Sequence, residues 1–202
     1  IGEYTSETQP IFFAKAKENG ASIYFASDLI TEALPSDLIG DYQFHNKKTV
    51  QQTITILNTL NEFKVSDENL KNGLLQVIKN TGLRGRWQQL GENPKIICDT
   101  AHNKHGLTIV MKQIQKEIFK NLHIVLGVVN DKDLDSILPL FPKNAQYYFC
   151  SPNSSRGLST EILNEAAKKH HLIGENYNSV EQAFAAAKKN ASKNDFIYVG
   201  GS

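Results

Sequence analysis

From residue 95 onward, short apolar runs alternate with segments whose apolar residues recur at helical spacing. The runs are rich in β-branched and aromatic residues, and they predict strands at 95–99, 122–129, 146–150, 172–177 and 196–199. Nearly continuous apolar runs, of which the fourth is the weakest, are typical of parallel strands covered on both faces. The alternation therefore predicts an α/β fold: a three-layer, mostly parallel, Rossmann-like domain.

The segments between these strands have the periodicity of amphipathic helices. One predicted apolar face consists of Leu107, Val110, Met111, Ile114 and Ile118. A later face consists of Leu158, Ile162, Leu163 and Ala166. In the last helix, Ser179 precedes Gln182 by three residues, which predicts a capping box before a face of Val180, Ala183, Phe184 and Ala187.

The first eighty residues follow a different pattern. It predicts a helix at 7–19, a short strand at 22–26, a helix from about Asn46 with Val50, Ile54, Leu57 and Leu60 on one face, and a helix capped by Ser66 with Leu70, Leu74, Val77 and Ile78. One strand and three helices bury little surface for a domain. We therefore interpret residues 1–82 as the tail of an upstream domain and residues 83–202 as a second domain, with a linker at 81–93.

The two ends of the chain fit this interpretation. The sequence starts at Ile1 without a methionine and stops at Ser202, directly after an apolar run. We therefore expect a fragment of a longer protein.

Composition narrows the classes of function. A net charge of +1 over 202 residues provides no bulk attraction for nucleic acid. The two cysteines, Cys98 and Cys150, lie inside apolar runs, which predicts reduced thiols and a cytoplasmic location. No stretch is apolar enough for a membrane span, so we expect no membrane partner.

The sequence CDTAHNKHGL, at 98–107, places several polar side chains where the first α/β strand ends and a helix begins. Ligands of open α/β sheets bind at this edge. Asp99 can accept hydrogen bonds from vicinal hydroxyls such as those of ribose, while the helix amides attract anions and His102 and Asn103 can contact a phosphate or substrate. Alternatively, Asp99 and Asn103 only cap the helix. A metal site of Asp99, His102 and His105 is a further alternative, but it lacks the usual helical spacing of paired histidines.

Three common fingerprints are missing from the sequence. It contains no G-x-G-x-x-G after a strand, no G-x-x-x-x-G-K-[ST] and no G-x-S-x-G. Any ATP site must therefore take its phosphate-binding loop from another part of the protein.

The stretch CDTAHNKHG resembles the D-x-A-H-N-P-x-[AG] signature of the folylpolyglutamate synthase and dihydrofolate synthase branch of the Mur ligase superfamily, with Lys104 in place of the usual proline. Other segments resemble family segments in the same order: IGEYTSETQPIFFAKAKENGA, LIGDYQFHNKKTV, GLRGRWQ, GVVNDKDL and YVGGS. The resemblance covers the whole chain.

This resemblance implies an ATP-dependent carbon–nitrogen ligase that joins L-glutamate to a folate or pteroate through an acyl phosphate. Residues 1–82 would be the C-terminal part of the central ATP-binding domain, and residues 83–202 the C-terminal α/β domain without its last strand. The P-loop and the ligands of Mg²⁺ would lie upstream, so this chain would bind no metal itself and would be inactive alone. The resemblance further implies small-molecule substrates only, and we expect a monomer.

The resemblance also assigns roles to individual residues. Asn46 would contact the adenine, although it can instead cap a helix, and Arg86 would reach the nucleotide, with Arg84 as its competitor. Asp99 would bind the ribose, and His102 would act at the reacting groups by orienting glutamate or removing its proton. Ser202 would contribute to glutamate binding.

Two further segments have simpler explanations. Residues 131–133, Asp-Lys-Asp, are typical of a strand-to-helix loop with a capping aspartate. Arg156 can hold a carboxylate or remain solvated.

Two other functions remain open at this point. One is a related ligase with a cell-wall or poly-amino-acid substrate, although HNKHG favours the folate branch. The other is a non-catalytic nucleotide-binding module.

Overall fold

The computed structural model describes residues 1–60 and 64–201. The chain divides into two compact units, Ile1–Leu83 and Arg84–Ser202, called here the N-terminal unit and the C-terminal unit. In the described part of the chain, no helix is both long and apolar enough to span a lipid bilayer.

The N-terminal unit is helical. Its helices are α1 (Thr8–Glu18), α2 (Ala26–Leu29), α3 (Gln43–Thr59), α4 (Asp67–Leu75) and α5 (Val77–Thr81). The predicted strand at 22–26 is wrong. The segment pairs with the start of the chain through only a few bonds, such as Ala26 N–H to Ile1 O at 2.8 Å, and it turns into α2 before a ladder can form.

Two helix boundaries in this unit differ from the prediction. Helix α3 begins at Gln43, so Asn46 lies in its first turn and does not cap it. Ser66 does cap α4, since its side chain accepts the Asn69 N–H at 3.2 Å. That helix ends at Leu75, and α5 restarts at Val77, so Leu74 and Ile78 do not share one helix.

The C-terminal unit is built on one six-stranded sheet. Its strands are β1 (Gln88–Glu92), β2 (Lys95–Asp99), β3 (Leu122–Gly127), β4 (Gln146–Cys150), β5 (Gly174–Tyr177) and β6 (Phe196–Gly201). The order is β1-β2-β6-β3-β4-β5, with β1 antiparallel to β2 and all other pairs parallel. All five predicted strands are present.

Strand β1 was assigned to the linker by the sequence pattern. Its sequence, QQLGE, carries no apolar run, and it is an edge strand that pairs only with β2. A polar edge strand of this kind is stabilised by its partner's backbone and not by burial of its own side chains, so periodicity does not reveal it.

Helices cover both faces of the sheet. They are α6 (Lys104–Ile114), α7 (Leu134–Ile137) with a 3₁₀ turn at Leu138–Leu140, α8 (Thr160–Lys169) and α9 (Val180–Asn190). Right-handed crossovers from β2 through β5 put α6, α7 and α8 on one face, and the return from β5 to β6 puts α9 on the other. The three-layer, mostly parallel α/β fold is thus confirmed.

The α9 prediction is confirmed in detail, and two others need correction. Ser179 accepts the Gln182 N–H at 3.2 Å, and Ala183 is buried in the core. Ile118 lies beyond the end of α6 and is fully exposed. Ile162 is exposed because α8 buries the opposite face, with Leu163 at its centre.

Candidate functional site

A pocket of about 290 Å³ opens at the carboxyl edge of the sheet in the C-terminal unit. Its walls are formed by the ends of β2, β3, β4 and β6 and by Val180, the first residue of α9. This is the edge at which open α/β sheets bind ligands. Helices α6 and α9 both begin here, so their free amides add positive potential to the rim.

Glycines keep the floor of this pocket open. Gly201 has a φ of +120°, and a Cβ built on it would lie 1.8 Å from the carbonyl oxygen of Gly127. No side chain fits between these two strand ends, so β3 and β6 meet there with bare backbone. The space above them is therefore available to a ligand.

Asp99 lies at the end of β2 and is only 2% exposed. Its Oδ2 accepts the Trp87 N–H at 2.6 Å, and its Oδ1 accepts the Ala101 N–H at 2.8 Å. These two bonds orient the carboxylate at the wall of the pocket. Asp99 is not the cap of α6, because the N-cap of that helix is Asn103.

The segment Gly85-Arg86-Trp87 is attached to this strand end. The Thr100 N–H donates to the Gly85 carbonyl at 2.9 Å, and the Arg86 guanidinium donates to the Thr100 hydroxyl. Trp87 has a φ of +51° and is 2% exposed, with its ring 6.5 Å from that of Phe196. Burial of the indole and the bond to Asp99 together hold this uncommon backbone conformation.

His102 lies on the exposed rim of the pocket. Its Nδ1 is 3.0 Å from the carbonyl oxygen of Thr100, which can only accept, so the neutral ring carries its proton on Nδ1. Nε2 is then the acceptor nitrogen of the neutral ring. Such a nitrogen can accept a hydrogen bond or a proton from an amine.

The remaining polar side chains of the turn have simpler roles. Asn103 is the N-cap of α6, with its Oδ1 accepting the Gly106 N–H at 2.8 Å, as one alternative predicted. His105 is exposed in the first turn of that helix. Across residues 1–60 and 64–201, no three His, Cys, Asp or Glu side chains group as a metal site would require.

Both thiols contribute neutral surface to the pocket. Burial, with a smaller contribution from the charge of Asp99, raises the pKa of Cys98. Burial also raises the pKa of Cys150 to about 12. Both cysteines are free and protonated at neutral pH, so they line the pocket as small apolar groups.

Two loops border the same edge of the sheet. Asp133 caps α7 by accepting the Ser136 N–H at 3.3 Å, which confirms the predicted capping aspartate. The Arg156 guanidinium lies 3.5 Å from the Asp131 carboxylate and is 67% exposed. Arg156 therefore pairs with a carboxylate of the protein itself and stays largely solvated.

The structure brings three of the predicted site residues together: Arg86, Asp99 and His102 lie on one strand end and its attached segment. Arg84 is exposed, whereas Arg86 is half-buried and held in place. Asn46 belongs to the N-terminal unit, where its side chain donates to Gln43 at 3.0 Å. Ser202 lies outside the described residues.

Sequence reasoning missed Thr100 as a member of this site. Its hydroxyl and its carbonyl contact Arg86 and His102, respectively. The only signal in the sequence was its position between two residues of the signature, because a threonine at a strand end does not by itself indicate a functional site.

Comparison with known proteins shows what class of protein this fold and site define. Residues 85–202 match the family described as "Mur ligase, glutamate ligase domain". A relative from Escherichia coli strain K12, named dihydrofolate synthase/folylpolyglutamate synthase, is 33% identical over 143 residues, covering 69% of this chain and 32% of the relative. The chain therefore belongs to the Mur ligase family, through its glutamate ligase domain.

Solved structures share this fold. One is E. coli FolC in complex with DHPP and ADP, at a TM-score of 0.68 and 26% identity, which covers 84% of this chain and 38% of that chain. Another is the bifunctional folylpolyglutamate synthase/dihydrofolate synthase of Yersinia pestis with AMPPNP and Mn, at a TM-score of 0.75 and 24% identity. It covers 94% of this chain and 47% of that chain. The present chain spans about a third to a half of the length of these proteins.

Proposed function

We propose that this chain is the nucleotide- and glutamate-facing part of an ATP-dependent ligase that adds L-glutamate to folates, acting on dihydropteroate, on tetrahydrofolate or on both. The observation that carries the proposal is that Asp99 and His102 line one pocket edge and that Arg86 is bonded to Thr100, which lines the same pocket, in a chain of this family. The names of its relatives and the ADP and DHPP bound by E. coli FolC support the substrate class.

Each residue of the cluster has a role that suits its chemistry. The Asp99 carboxylate, held by two backbone donors, would accept hydrogen bonds from the ribose hydroxyls. The Arg86 guanidinium would meet the nucleotide phosphates, for which its planar fork is suited. Asn46 would meet the adenine, and Ser202 would contribute to the glutamate site. The domain boundaries of residues 1–82 and 83–202 belong to the same proposal.

His102 would act on the incoming glutamate. Because Nδ1 donates to the Thr100 carbonyl, Nε2 is the nitrogen that would orient the amino group of glutamate or take its proton. The reaction we propose begins with transfer of the γ-phosphoryl group of ATP to the folate carboxylate. The glutamate amine then attacks the acyl phosphate, and phosphate leaves as the amide forms.

A divalent cation fits the proposed reaction, but this chain would not supply its ligands. The Y. pestis relative binds Mn together with AMPPNP. The described residues of this chain do not group three candidate metal ligands in one place. We therefore assign the ion, Mg²⁺ in the proposal, to residues outside this chain. A cytoplasmic, monomeric protein completes the proposal, and the free thiols are compatible with that compartment.

The test is ATP-dependent incorporation of labelled glutamate into dihydropteroate and into tetrahydrofolate by the full-length product of the encoding gene. Asp99→Ala is compared with Asp135→Ala, because Asp135 is 87% exposed in α7. We expect Asp99→Ala to raise the KM for ATP about tenfold, since a hydrogen bond to a charged group contributes about 1.5–3 kcal/mol. We expect Asp135→Ala to leave it unchanged and this 202-residue chain alone to be inactive.

The other outcomes point to the two alternative functions. Formation of ADP only with a cell-wall or poly-amino-acid acceptor would keep the ligase and reject folate as its substrate. Absence of ADP formation with every acceptor would favour a non-catalytic nucleotide-binding module. Far-ultraviolet circular dichroism and urea unfolding of the full-length product show whether Asp99→Ala still folds.

A further inference from the structure

We propose that Thr100 is a positioning residue that holds the Arg86 guanidinium towards the bound nucleotide and joins it to the segment that carries His102. The inference rests on the proposed function, because it presupposes that Arg86 contacts ATP. Thr100 itself would not touch the reacting atoms.

The hydroxyl of Thr100 has a defined direction. Its oxygen lies 3.1 Å from the carbonyl oxygen of Gly85, to which it donates its single hydrogen. The lone pairs of the same oxygen then face the Arg86 Nη1, which donates to it. Arg86 Nη1 also lies 3.3 Å from the Gly85 carbonyl oxygen, so the guanidinium is held by two acceptors.

The main chain of Thr100 also forms hydrogen bonds, to Gly85 and to His102. Its N–H donates to the Gly85 carbonyl at 2.9 Å, and its carbonyl accepts the Nδ1–H of His102 at 3.0 Å. One residue thus contacts the arginine through its side chain and the histidine through its main chain. A shift of Thr100 would displace both groups together.

Thr100 packs closely against Gly85. Gly85 has a φ of +68°, and a Cβ built on it would lie 2.6 Å from the Thr100 Cγ2. The threonine methyl therefore occupies the space over a residue that must be glycine. With the methyl packed there, the hydroxyl can point only towards Gly85 and Arg86.

An arginine side chain has several rotatable bonds, and most of its conformers would not face a nucleotide. A fixed acceptor beside the guanidinium selects one group of conformers before ATP arrives. Removing that acceptor lowers the fraction of molecules ready to bind, which raises the KM for ATP in proportion. The chemical step itself does not depend on the hydroxyl, so kcat should change little.

The experiment is a double-mutant cycle in the full-length product of the gene, with the KM for ATP and kcat as readouts. Thr100→Val keeps the shape but removes the acceptor, whereas Thr100→Ser keeps the hydroxyl. Each is combined with Arg86→Ala. Thr108→Val is the matched control, because the Thr108 hydroxyl bonds only within α6, to the Lys104 carbonyl at 2.7 Å.

We expect Thr100→Val to raise the KM for ATP about 3- to 10-fold with kcat within about twofold, the range expected for the net contribution of one ordinary hydrogen bond. Thr108→Val should stay close to the wild type, and Thr100→Ser, which keeps the acceptor but loses the methyl that directs it, should raise the KM less than Thr100→Val. In the Arg86→Ala background, Thr100→Val should have no further effect, because the group that it positions is gone.

Two results would overturn the inference about Thr100 and leave the proposed function intact. One is that Arg86→Ala raises the KM but Thr100→Val does not. The other is that Thr100→Val raises it equally with and without Arg86, which would show a purely structural role. If Arg86→Ala itself leaves the KM unchanged, the nucleotide role of Arg86 in the proposed function fails first, and the inference fails with it.

Discussion

The two units of this chain differ most in what they bury. In the C-terminal unit, side chains on both faces of the central strands are buried, among them Ile124 and Leu126 on one face and Val125 and Ile197 on the other. In the described part of the N-terminal unit, the buried apolar side chains are Phe25, Ala26 and Leu74. Most of the large apolar side chains exposed in the described chain belong to the N-terminal unit, including Ile11, Phe13, Leu29 and Ile39.

This contrast shows what a sheet contributes to a helical chain segment. In the C-terminal unit, α9 packs Ala183 and Ala187 directly on the sheet, so its apolar face is removed from water. In the N-terminal unit, a ring cluster around Phe25 is the main apolar contact of α1, and the groove beside it measures about 450 Å³. Since burial of apolar area drives folding, stability should be concentrated in the C-terminal unit.

The most severe test separates the two units. Residues 84–202 produced alone should unfold cooperatively in urea, because the side chains of the central strands are buried within this unit. Residues 1–83 produced alone should show no cooperative transition. Trp87 fluorescence follows the first piece and far-ultraviolet circular dichroism the second. A sharp transition for residues 1–83 would contradict the comparison.

A leucine-to-alanine substitution in each unit should then have unequal effects, because the leucine on β3 is buried and the leucine on α4 is half exposed. Leu126→Ala, at a side chain with no exposed surface on β3, should lower the free energy of unfolding by about 2–5 kcal/mol. Leu75→Ala, at a side chain 48% exposed on α4, should lower it by about 1 kcal/mol or less. Urea unfolding measures both, and equal losses would show that the N-terminal unit has a comparable core.

A buried polar cluster at the amino edge of the sheet should make the C-terminal unit sensitive to acid. Asp195 accepts hydrogen bonds from the N–H and the side chain of Asn121, both at 3.0 Å, and from the Ser192 N–H at 2.7 Å. Its Oδ2 lies 3.5 Å from Nε2 of the buried His123. Burial opposes ionisation of Asp195, but these hydrogen bonds outweigh it, and the pKa of Asp195 is lowered.

A carboxyl group with a lowered pKa in the folded state stabilises the fold above its ordinary pKa and loses that contribution as the pH falls through the folded value. Asp195→Asn should therefore cost about 1–3 kcal/mol at pH 7, and the difference from the wild type should shrink below about pH 4. Urea unfolding at pH 7, 5 and 3.5 measures this, with the exposed Asp135→Asn as the control. A difference that stays constant with pH would contradict the role of the charge.

The smallest effect is expected at the loop pair of Arg156 and Asp131. Both side chains are more than half exposed, at 67% and 53%. Such pairs contribute little, so Arg156→Ala should change the free energy of unfolding by about 0.5 kcal/mol or less. A loss above about 1.5 kcal/mol would show that the loop is part of the cooperative core.

The fold of the C-terminal unit was predictable from its strands because burial on both faces leaves apolar runs that few other structures require. Strand β1 escaped, since it depends on hydrogen bonds to β2 and carries polar residues. In the N-terminal unit, residues 22–26 have strand-like composition without a strand, because the start of the chain offers them only a few bonds.

Some residues of the candidate site could likewise be predicted from the sequence, and others could not. Asp99 and His102 could be singled out because they lie at the end of a predicted strand. Their neighbour Asn103 has a residue type that predicts a helix N-cap, and it is the N-cap of α6. The sequence alone could not decide between Arg84 and Arg86, because the two arginines lie two residues apart and nothing in the sequence shows which of them is buried. Thr100 could not be recognised at all, because its partner Arg86 is fourteen residues away in the chain.

By itself, the sequence determined the order of strands and helices from residue 95 onward, the strand end that carries the polar turn, and, through its motifs, the family. These are local properties, set by hydrophobic period, capping residues and residues adjacent in the chain. Only the tertiary structure decided that β1 pairs with β2, that Gly85 lies against Thr100, and that Arg86 and His102 share one neighbour. Those contacts require that segments distant in the chain approach each other closely. The periodicity of a single segment does not predict such an approach.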